Sequence, residues 1–587
     1  MEKLNGNETV KTLFDKLNYI FDKKEKKVIA WNIVLALLAG IFELLGISAF
    51  LPLINVLLDE DAIYNNKIYS MVFQTLGLRS VLEFEIFMAI SLILLYIIKN
   101  IFLSFRFVFQ NNFSYRNRRN LAIRLLKSYL YEDYLFHVNH GAPELQRNIN
   151  NDITTFMSVI SAIINMLVEI FTCLFMLIYL FITDAITTVL ILVFFSIIFL
   201  SVVKVTKKKQ VLVGVKARES SAELNKWLMQ SLGGIKEIKV FGRESMFLNN
   251  YGKAYDSAVS ANKIFNIYTY IPKYIIETLM ISGLLTTIII RLLSGVDIRY
   301  FAVALSAIAL VAIRVLPSLN RMTEYMGVIM YGNPSINAIY DDLQQAKETS
   351  KEQERVKTIP FNKVIEINNL SFKYPEGNRN VLENVNFRIN KFDSVAIIGE
   401  SGAGKSTIVD LLLGLLKPHK GAILSDGQDI SNNYREWRSK IGYIPQTIYL
   451  FDDTIRMNVA FGNEDIDDEK VWEVLREAQL EDYIKTLDNG LDTVIGERGV
   501  KLSGGQRQRL GIARALYSSP QILLMDEATS ALDTETETAV MESVEYLHGR
   551  TTMIIVAHRL TTIEKCDYIL KVEKGDVIMC DRNEIFS

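Results

Sequence analysis

Three short runs in the C-terminal third of this chain carry residue types that handle phosphate. Gly399–Thr407 reads GESGAGKST, Leu502–Gln506 reads LSGGQ, and Met525–Glu527 reads MDE. In a glycine-rich loop of the first kind, bare backbone amides cradle phosphate oxygens, the lysine reaches the β- and γ-phosphates and the following serine faces Mg²⁺. The sequence therefore predicts a binding site for a nucleoside triphosphate around Lys405 and Ser406.

The elements that must position these residues can also be identified from the sequence. Ser394–Ile398 has the composition of a buried strand, and the residues from Ser406 to Leu415 have that of a helix, so the helix N-terminus points at the phosphates. A second buried strand ends at Asp526, which we expect to hold Mg²⁺ through its water shell. Glu527 comes next, where a carboxylate can polarise an attacking water.

Taken together, these runs resemble those of the ATP-binding cassette (ABC) transporters. The LSGGQ run is the more specific part of the match, since other ATPases with a phosphate loop lack it. The resemblance implies that Tyr374 stacks on adenine, that Gln446 senses Mg²⁺ and the membrane domain, and that His558 is the switch histidine on the γ-phosphate. Ser530–Asp533 resembles the D-loop.

The site predicted on this basis binds ATP and Mg²⁺. Its catalytic residues are Glu527 and His558, and its metal ligands are Ser406, Gln446 and Asp526. Its nucleotide-binding residues are Tyr374, Gly399, Ser401, Gly402, Gly404, Lys405, Ser406, Thr407, Gln446, Ser503, Gly504, Gly505, Gln506 and Asp533.

The same resemblance implies a dimer. In the family, Ser503 and Gly504 close over nucleotide held by the phosphate loop of a second cassette, and this chain has one cassette. Two copies must then assemble head to tail around two ATP molecules. Because Glu527 and the LSGGQ run are both intact, both sites of a homodimer should hydrolyse ATP. Gly496–Gly499 resembles the loop that connects nucleotide state to the membrane helices.

Composition places the rest of the chain in a membrane. Half of the 587 residues are hydrophobic, and the formal net charge of −2 argues against a nucleic-acid partner. The three cysteines have no metal-ligand spacing and imply no disulfide framework. Apolar stretches long enough to cross roughly 30 Å of hydrocarbon occur at 29–58, 84–109, 153–183, 185–205, 265–294 and 299–326.

Basic residues orient these six predicted spans. They follow the second and fourth spans, which marks those flanks as cytoplasmic: Arg116, Arg118, Arg119, Arg124, Lys127, Lys204, Lys207, Lys208 and Lys209. The connections after the odd-numbered spans are short or acidic, as external loops should be. The polar first 27 residues contain no cleavable secretory signal. We therefore expect a multi-pass protein of the bacterial inner membrane with both termini cytoplasmic.

The predicted fold class is an α-helical polytopic membrane domain with six transmembrane helices, of ABC exporter type, fused to an α/β P-loop ATPase domain. The predicted boundaries are a membrane domain over 1–345, a linker over 346–358 and a cassette over 359–587, where β-rich runs alternate with helical ones. Residues 65–78 predict a short external amphipathic helix, which either lies on the membrane surface or packs on the tops of the spans.

Charges within the spans bear on the cargo. Lys99 and Arg314 each lie about 22 Å below the external start of their spans, and Arg106 and Arg321 follow them by seven residues on nearly the same helix face. Such basic residues are candidate contacts for an anionic head group. One alternative is internal pairing, since ionisable residues in lipid need a partner, with Glu169, Glu43 and Glu277 as candidates. For Arg106 and Arg321 another alternative is simple anchoring at the cytoplasmic side.

A narrower resemblance favours one cargo. Phe42–Ile54, the external segment and Gln446–Ile455 are similar to the lipid-linked oligosaccharide flippases, which implies outward transport of a polyprenyl-diphosphate oligosaccharide. Phe136–Asp152 and Gly233–Glu244 resemble the regions that carry the coupling helices. Two alternatives stay open: an exporter of drugs, lipids or peptides, and an ATP-gated channel or regulator on the same fold. A soluble cassette acting on ribosomes or in DNA repair is excluded by the six spans.

Overall fold

The structure is a computed structural model, and it describes residues 10–58, 62–183, 185–293, 298–352, 358–375, 377, 379–526, 547–557 and 563–580. The membrane portion consists of helices: α1 (Val10–Ile20), α2 (Lys23–Ser48), α3 (Phe50–Leu58), α4 (Ala62–Asn65), α5 (Lys67–Thr75), α6 (Val81–Tyr131), α7 (Tyr134–Asn139), α8 (Ala142–Arg147), α9 (Ile153–Thr183), α10 (Ala185–Gly233), α11 (Ile235–Phe241), α12 (Glu244–Leu293) and α13 (Ile298–Glu352). A π-helical turn, Asn148–Asp152, joins α8 to α9.

The described residues of each predicted span after the first fall within one helix, whereas the first span is divided between α2 and α3. The break falls at Ala49, three residues before Pro52. Proline has no N–H and its ring crowds the preceding turn, so a continuous helix is disfavoured there. The long helices α6, α10, α12 and α13 run well past their predicted spans, as expected of cytoplasmic extensions.

Within the described residues, three helical stretches are long and apolar enough to cross a membrane: Lys23–Leu57, Val81–Tyr131 and Ala142–Ile182. They cover the first three predicted spans to within one residue. The other three predicted spans lie in α10, α12 and α13, where many side chains fall outside the description. Both sets are consistent with the helical transmembrane region expected from the sequence.

Helix α5, which lies in the segment predicted to be external, has two apolar faces with different surroundings. Tyr69, Val72 and Phe73 pack against a small buried cluster at the outer ends of α3 and α6, centred on Phe84. Ile68 and Met71 are each 70% exposed on the opposite side. One face therefore packs the helix against α3, α4 and α6, and the other face is exposed.

The cassette contains two sheets. Its strands are β1 (Val364–Phe372), β2 (Leu382–Asn390), β3 (Ser394–Gly399), β4 (Lys420–Ser425), β5 (Gln428–Asp429), β6 (Ile441–Ile444), β7 (Ile522–Asp526), β8 (Thr552–Val556), β9 (Tyr568–Glu573) and β10 (Asp576–Cys580). The larger sheet has the order β10-β9-β3-β8-β7-β6, in which all neighbouring pairs except β10–β9 are parallel. The smaller sheet, β2-β1-β4-β5, is antiparallel.

Helices cover the larger sheet: α14 (Lys405–Leu412), α15 (Tyr434–Arg438), α16 (Ile455–Ala460), α17 (Asp468–Glu477), α18 (Glu481–Lys485) and α19 (Gly504–Tyr517). The central strands β3, β7 and β8 are buried nearly throughout, which is why their sequences are continuous apolar runs. This is the α/β arrangement predicted from the sequence.

The chain forms two compact units. One comprises residues 1–132 and 139–348, and the other comprises 133–138 and 349–587. The short segment Asp133–Val138, which holds most of α7, thus groups with the cassette: Leu135 packs against the cassette core and the Asp133 carboxylate lies 2.9 Å from Lys417 Nζ. The docking residues begin three positions before the predicted region Phe136–Asp152, and the remainder of that region belongs to the membrane unit.

Candidate functional site

The phosphate loop lies between the central strand β3 and helix α14. Gly399 ends the strand, and a Cβ at this position would lie 2.5 Å from the carbonyl oxygen of Val572. Gly402 and Gly404 have positive φ values of 82° and 111°, which favour glycine. The sequence therefore needs its glycines here for backbone geometry, and the loop delivers the free amides of the α14 N-terminus to one point.

The Lys405 side chain is buried within this loop. Its Nζ donates to the carbonyl oxygens of Gly399 at 2.8 Å and Glu400 at 3.0 Å, and the residue is 7% exposed. A buried ammonium surrounded by loop carbonyls and helix N-terminal amides fits the charge of a triphosphate. Together with Ser401, Ser406 and Thr407, these groups would hold the phosphates of ATP.

The carboxylate expected to hold Mg²⁺ lies at the same edge of the sheet. Asp526 ends β7 and pairs in register with Val556 of β8, which pairs in turn with Ile397 of β3. Parallel strands present their carboxyl ends at one edge, so the phosphate loop and Asp526 meet there. Glu527, Asp533 and His558 lie outside the described residues, and their predicted roles stay predictions.

The electrostatics of neighbouring groups fit a cation beside Asp526. Burial, and then the Asp526 charge, raise the pKa of Asp410 to about 6. Burial and the same carboxylate raise the pKa of Tyr443 to about 12. The negative charge of Asp526 disfavours ionisation of these two neighbours, and a divalent cation would neutralise that charge. Asp526, the Ser406 hydroxyl and the Gln446 amide are the oxygen ligands that would hold Mg²⁺, whose chemistry is to shield the transferred phosphoryl group.

Tyr374 lies at the edge of the loop region. Its hydroxyl is 3.3 Å from Thr407 Oγ1, and its ring meets Phe372 edge to face with centroids 4.9 Å apart. The side chain is half-buried and faces the first turn of α14. The structure thus brings Tyr374 next to the phosphate-loop helix, as an adenine-stacking role requires.

The LSGGQ run forms the N-terminus of α19. Ser503 is the N-cap: its hydroxyl accepts from Gln506 N at 3.2 Å, and the Gln506 side chain accepts from Ser503 N at 2.8 Å. This reciprocal capping box satisfies two donors and leaves Ser503 and Gly504 exposed. Ser503, Gly504 and Gly505 therefore form a helix N-terminus at the surface of the cassette. This run is separate in sequence from the phosphate loop.

One functional connection was missed by sequence reasoning. Arg514 of α19 donates to the carbonyl oxygens of Tyr449 at 2.7 Å and Asn458 at 2.8 Å, and its guanidinium lies 4.7 Å from the ring centre of Phe461. Burial lowers the pKa of Arg514 to about 10. Arg514 thus connects the LSGGQ helix to the loop that follows Gln446. The one sequence signal for this contact is the position of Arg514 in the last turn of a helix.

In the membrane unit, two of the four basic residues predicted as cargo contacts are in ion pairs. Lys99 Nζ lies 2.6 Å from Glu43 Oε2, with both residues buried. Arg321 makes a two-point contact with Glu169, at 2.6 Å from Nε to Oε1 and 3.0 Å from Nη2 to Oε2. Internal pairing therefore holds for these two, although Glu169 pairs with Arg321 and not with Lys99.

Arg106 differs from both. Its Nη2 donates to two carboxamide oxygens, Gln110 Oε1 at 2.8 Å and Asn165 Oδ1 at 2.7 Å, and its Nε is buried without a hydrogen-bond partner. Among the described residues it has no carboxylate within ion-pair distance. Asn165 carried no signal in the sequence, because an amide within an apolar helix usually hydrogen-bonds locally. The side chain of Arg314 lies outside the description.

Fold and site together define a P-loop ATPase fused to a polytopic helical membrane domain. Residues 382–530 match the family model described as ABC transporter, and residues 29–292 match the model described as ABC transporter transmembrane region. A solved structure of a bacterial Atm1-family ABC exporter with ATP bound superposes with a TM-score of 0.74, covering 96% of this chain and 97% of that one at 24% identity, which shows the fold.

The chain is also similar in sequence to named transport proteins, which identifies its family. Over 397 residues the chain is 30% identical to the ATP-dependent lipid A-core flippase of Desulfotalea psychrophila (strain LSv54 / DSM 12343), covering 66% of this chain and 68% of that protein. It is 35% identical over 359 residues to the flippase of the same name from Shigella flexneri, covering 60% of each. The chain belongs to the ABC transporter family, in which the cassette hydrolyses ATP to drive transport.

Proposed function

We propose that this chain is a homodimeric exporter that uses ATP to move a lipid with an anionic head group, of the polyprenyl-diphosphate oligosaccharide class, to the outer leaflet of a bacterial inner membrane. Two relatives are named as lipid A-core flippases, which supports a lipid cargo. The finer assignment to a diphosphate-linked saccharide follows from the sequence of the first span, the external helix and the charge at Arg106.

Arg106 is the observation that carries the head-group assignment. A guanidinium within a span is costly unless its charge is balanced, and the groups that hold Arg106 here are neutral amides. Lys99 and Arg321, by contrast, are neutralised by Glu43 and Glu169. An anionic group that accepted from Arg106 Nε would satisfy a buried donor and balance the charge at once.

The dimer follows from the exposure of the LSGGQ run. Ser503 and Gly504 lie exposed at the N-terminus of α19, and a helix N-terminus favours an anion. Helix α11 likewise exposes Val240 and Phe241, each 72% accessible. In a head-to-tail dimer, the LSGGQ run would contact the nucleotide of the second copy, and α11, within the predicted coupling region, would meet an apolar surface.

In this proposal the work of each residue can be stated separately. Lys405 and the loop amides hold the phosphates, Asp526 with Ser406 and Gln446 holds Mg²⁺, and Glu527 orients the attacking water. Closure of the cassettes is transmitted through the segment Asp133–Val138, which packs on the cassette through Leu135. Transmission through rigid helices then rocks the spans from inward to outward opening.

The test is a flipping assay with purified chain in proteoliposomes that contain a fluorescent polyprenyl-diphosphate saccharide. The outward-exposed fraction of the probe should rise with ATP, and Glu527→Gln should stop this rise while ATP binding persists. Arg106→Gln should reduce the initial flipping rate by at least about tenfold, since one charge-assisted contact in a dry site contributes more than about 1.4 kcal/mol.

Arg116→Gln is the matched control, because Arg116 lies exposed on the cytoplasmic part of the same helix. The Arg116→Gln variant should flip the fluorescent lipid at the wild-type rate. Unimpaired flipping by the Arg106 variant would remove the head-group assignment, and ATP turnover that no lipid stimulates, with an ATP-dependent ion conductance instead, would favour the channel alternative.

A further inference from the structure

A polar cavity of about 510 Å³ lies among the cytoplasmic extensions of the membrane-unit helices. Helices α6, α8, α9, α10, α12 and α13 and the π-helical turn form its walls. The side chains that matter here are Arg118, Arg147, Asn151, Asp152, Arg218 and Tyr331. Arg118 lies twelve residues beyond Arg106, which is about 18 Å of helix. The cavity is therefore separate from the charges within the spans.

The cavity walls carry more positive than negative charge. Asp152, 3% exposed, accepts from Arg218 Nε at 2.9 Å and from Ser335 Oγ at 2.8 Å, and Arg147 Nε lies 3.6 Å away. One carboxylate thus serves two guanidinium groups. Arg118, at the rim, has no ion pair with any residue that the structure describes. Three lining arginines therefore face one lining carboxylate.

Arg147 also has an unused donor. The residue is 5% exposed, and its Nη2 donates to Asn148 Oδ1 at 2.8 Å and to Glu144 Oε1 at 3.3 Å. Its Nε is buried and makes no hydrogen bond. Because buried donors in native proteins nearly always have an acceptor, this one indicates a place for an acceptor from outside the chain.

The local backbone is built for a site of this kind. Asn148–Asp152 forms a π-helical turn, an uncommon geometry that recurs at functional sites because its extra residue displaces side chains from the regular helical positions. As a result, three successive residues, Asn150, Asn151 and Asp152, all line the cavity. A regular α-helix would spread three consecutive side chains over most of its circumference.

The walls of the cavity cannot easily close. A Cβ at Gly214 of α10 would lie 2.1 Å from the carbonyl oxygen of Tyr331 in α13, so the two backbones are in direct contact beside the cavity. A Cβ at Gly332 would lie 2.3 Å from Val159 Cγ2 of α9. Helices that already touch through glycines have no room to move inwards, and the cavity is a fixed feature of the packing.

We propose that this cavity binds a phosphate or diphosphate group that enters from the cytoplasmic side. Guanidinium groups match phosphate oxygens in planar, two-point contacts. The three arginines have two carboxylate partners, Asp152 and Glu144, and the remaining positive charge suits a phosphate group. Arg118 supplies donors, as does Arg147 Nε, which makes no hydrogen bond and lies 3.6 Å from Asp152. The Asn151 amide, which already donates one hydrogen bond to Ser221, can supply a second, neutral donor. The group belongs either to a soluble phosphorylated solute or to the head group of a membrane lipid.

The experiment uses the full chain in detergent with Lys405→Ala as the background, so that the phosphate loop does not bind the probe. Inorganic pyrophosphate binding is measured by titration calorimetry. Arg118→Gln should weaken binding at least tenfold, because it removes one cation from the rim. Arg119→Gln is the matched control: Arg119 is its exposed neighbour and does not line the cavity, so its affinity should stay within twofold.

Asn151→Asp provides a second, nearly isosteric variant that places a negative charge in the cavity. Asn151 Nδ2 donates to Ser221 Oγ at 2.6 Å, and in the variant the Ser221 hydroxyl can donate to the new carboxylate instead. It should abolish pyrophosphate binding while elution volume and thermal midpoint stay unchanged. Equal affinities for Arg118→Gln, Asn151→Asp and the background protein would overturn the proposal. Because the readout is binding and not flipping, this result would leave the proposed transport function untouched.

Two further arms identify the source of the group. Vesicles of phosphatidic acid should compete with pyrophosphate for the cavity if a lipid head group is the natural ligand, whereas vesicles of phosphatidylcholine should not. Competition by soluble phosphorylated sugars, with none by phosphatidic acid, would assign the cavity to a cytoplasmic solute. Competition by neither would overturn the site as stated.

Discussion

Three positively charged side chains within the spans have different electrostatic surroundings, although in the sequence all three are basic residues within apolar stretches. Lys99 and Arg321 each contact a buried glutamate, while Arg106 contacts amides. In a low-dielectric environment an ion pair offsets part of the cost of removing each charge from water, but only while both partners remain. The role of each residue in transport therefore depends on its contacts, which depth along a helix does not reveal.

The Lys99–Glu43 pair gives a prediction at this scale. Lys99→Met should destabilise the protein by about 3–5 kcal/mol, because it takes from the buried Glu43 carboxylate its closest cation. The double variant Lys99→Met with Glu43→Leu should recover to within about 1 kcal/mol of the wild type. The thermal midpoint in detergent measures both, and Lys127→Met, on the exposed part of α6, should be neutral.

The double variant also separates the two roles considered for Lys99. If pairing is its role, lipid-stimulated ATP hydrolysis should survive in the double variant, and this is the result we expect. Restored stability with lost stimulation would instead make Lys99 a cargo contact. A single Lys99→Met variant as stable as the wild type would show that the pair contributes little.

Asp410 gives a pH-dependent prediction. Its folded-state pKa, raised to about 6 by burial and by Asp526, exceeds the unfolded value near about 4. The folded chain therefore binds this proton more tightly than the unfolded chain, and the Asp410 contribution to stability falls as pH rises from about 4 to about 6, then stays level. The penalty is of order 1 kcal/mol at pH 8, since Asp410 is half-exposed and solvent screens part of the shift.

Asp410→Asn removes this titration. The variant should unfold at a higher temperature than the wild type at pH 8 without nucleotide or Mg²⁺, and the difference should shrink towards zero as pH is lowered through 6 to about 4. Thermal unfolding of the full chain at several pH values measures it. A difference that does not change with pH would show that Asp410 is not the titrating group.

At the scale of elements, close contacts at glycines determine how closely the long helices pack. Gly214 and Gly332 lie where α10 meets α13 and where α13 meets α9. Large side chains cannot occupy such points without separating the helices. Helix lengths alone, which the apolar stretches predict well, say nothing about where these close approaches fall.

Gly214→Ala tests this packing. The new methyl group would lie 2.1 Å from the Tyr331 carbonyl oxygen, and relief requires movement of one of two helices, at a cost of about 1–3 kcal/mol. Gly252→Ala, in α12, meets nothing within 4 Å and should stabilise by about 0.5–1 kcal/mol through helix propensity. Opposite shifts of the thermal midpoint are expected, and equal shifts would contradict the assigned contact.

Much of the architecture could be predicted from the sequence because each element has a strong local signal. Apolar length marks the spans, and Gly399–Thr407 needs its glycines for a backbone that no other residue adopts easily. The unpredicted parts depend on contacts far apart in the chain: Glu43 with Lys99, Asn165 with Arg106, and Arg514 with the loop after Gln446. No local pattern encodes such a pairing, since the partners come together only after the helices pack.

At the scale of the whole molecule, the proposed dimer makes the phosphate loop and the LSGGQ run of one chain halves of two different ATP sites. The first offers Lys405 and the loop amides, and the second offers the capped N-terminus of α19. A head-to-tail dimer would complete each ATP site with groups from both copies. Each complete site then depends on Lys405 of one copy and Ser503 of the other.

Complementation between two inactive variants tests this arrangement. Lys405→Ala and Ser503→Ala homodimers each have two defective sites, whereas a mixed dimer has one site with both residues intact and one with neither. Dissociating and reassembling the variants in equal amounts makes half the dimers mixed, so independent sites would restore about a quarter of the wild-type ATP turnover, and sites that must fire together would restore less. Turnover in the mixture above that of either variant alone is the expected result. If the mixture gives only the average of the two separate activities, each ATP site is completed within a single chain and the dimer has another role.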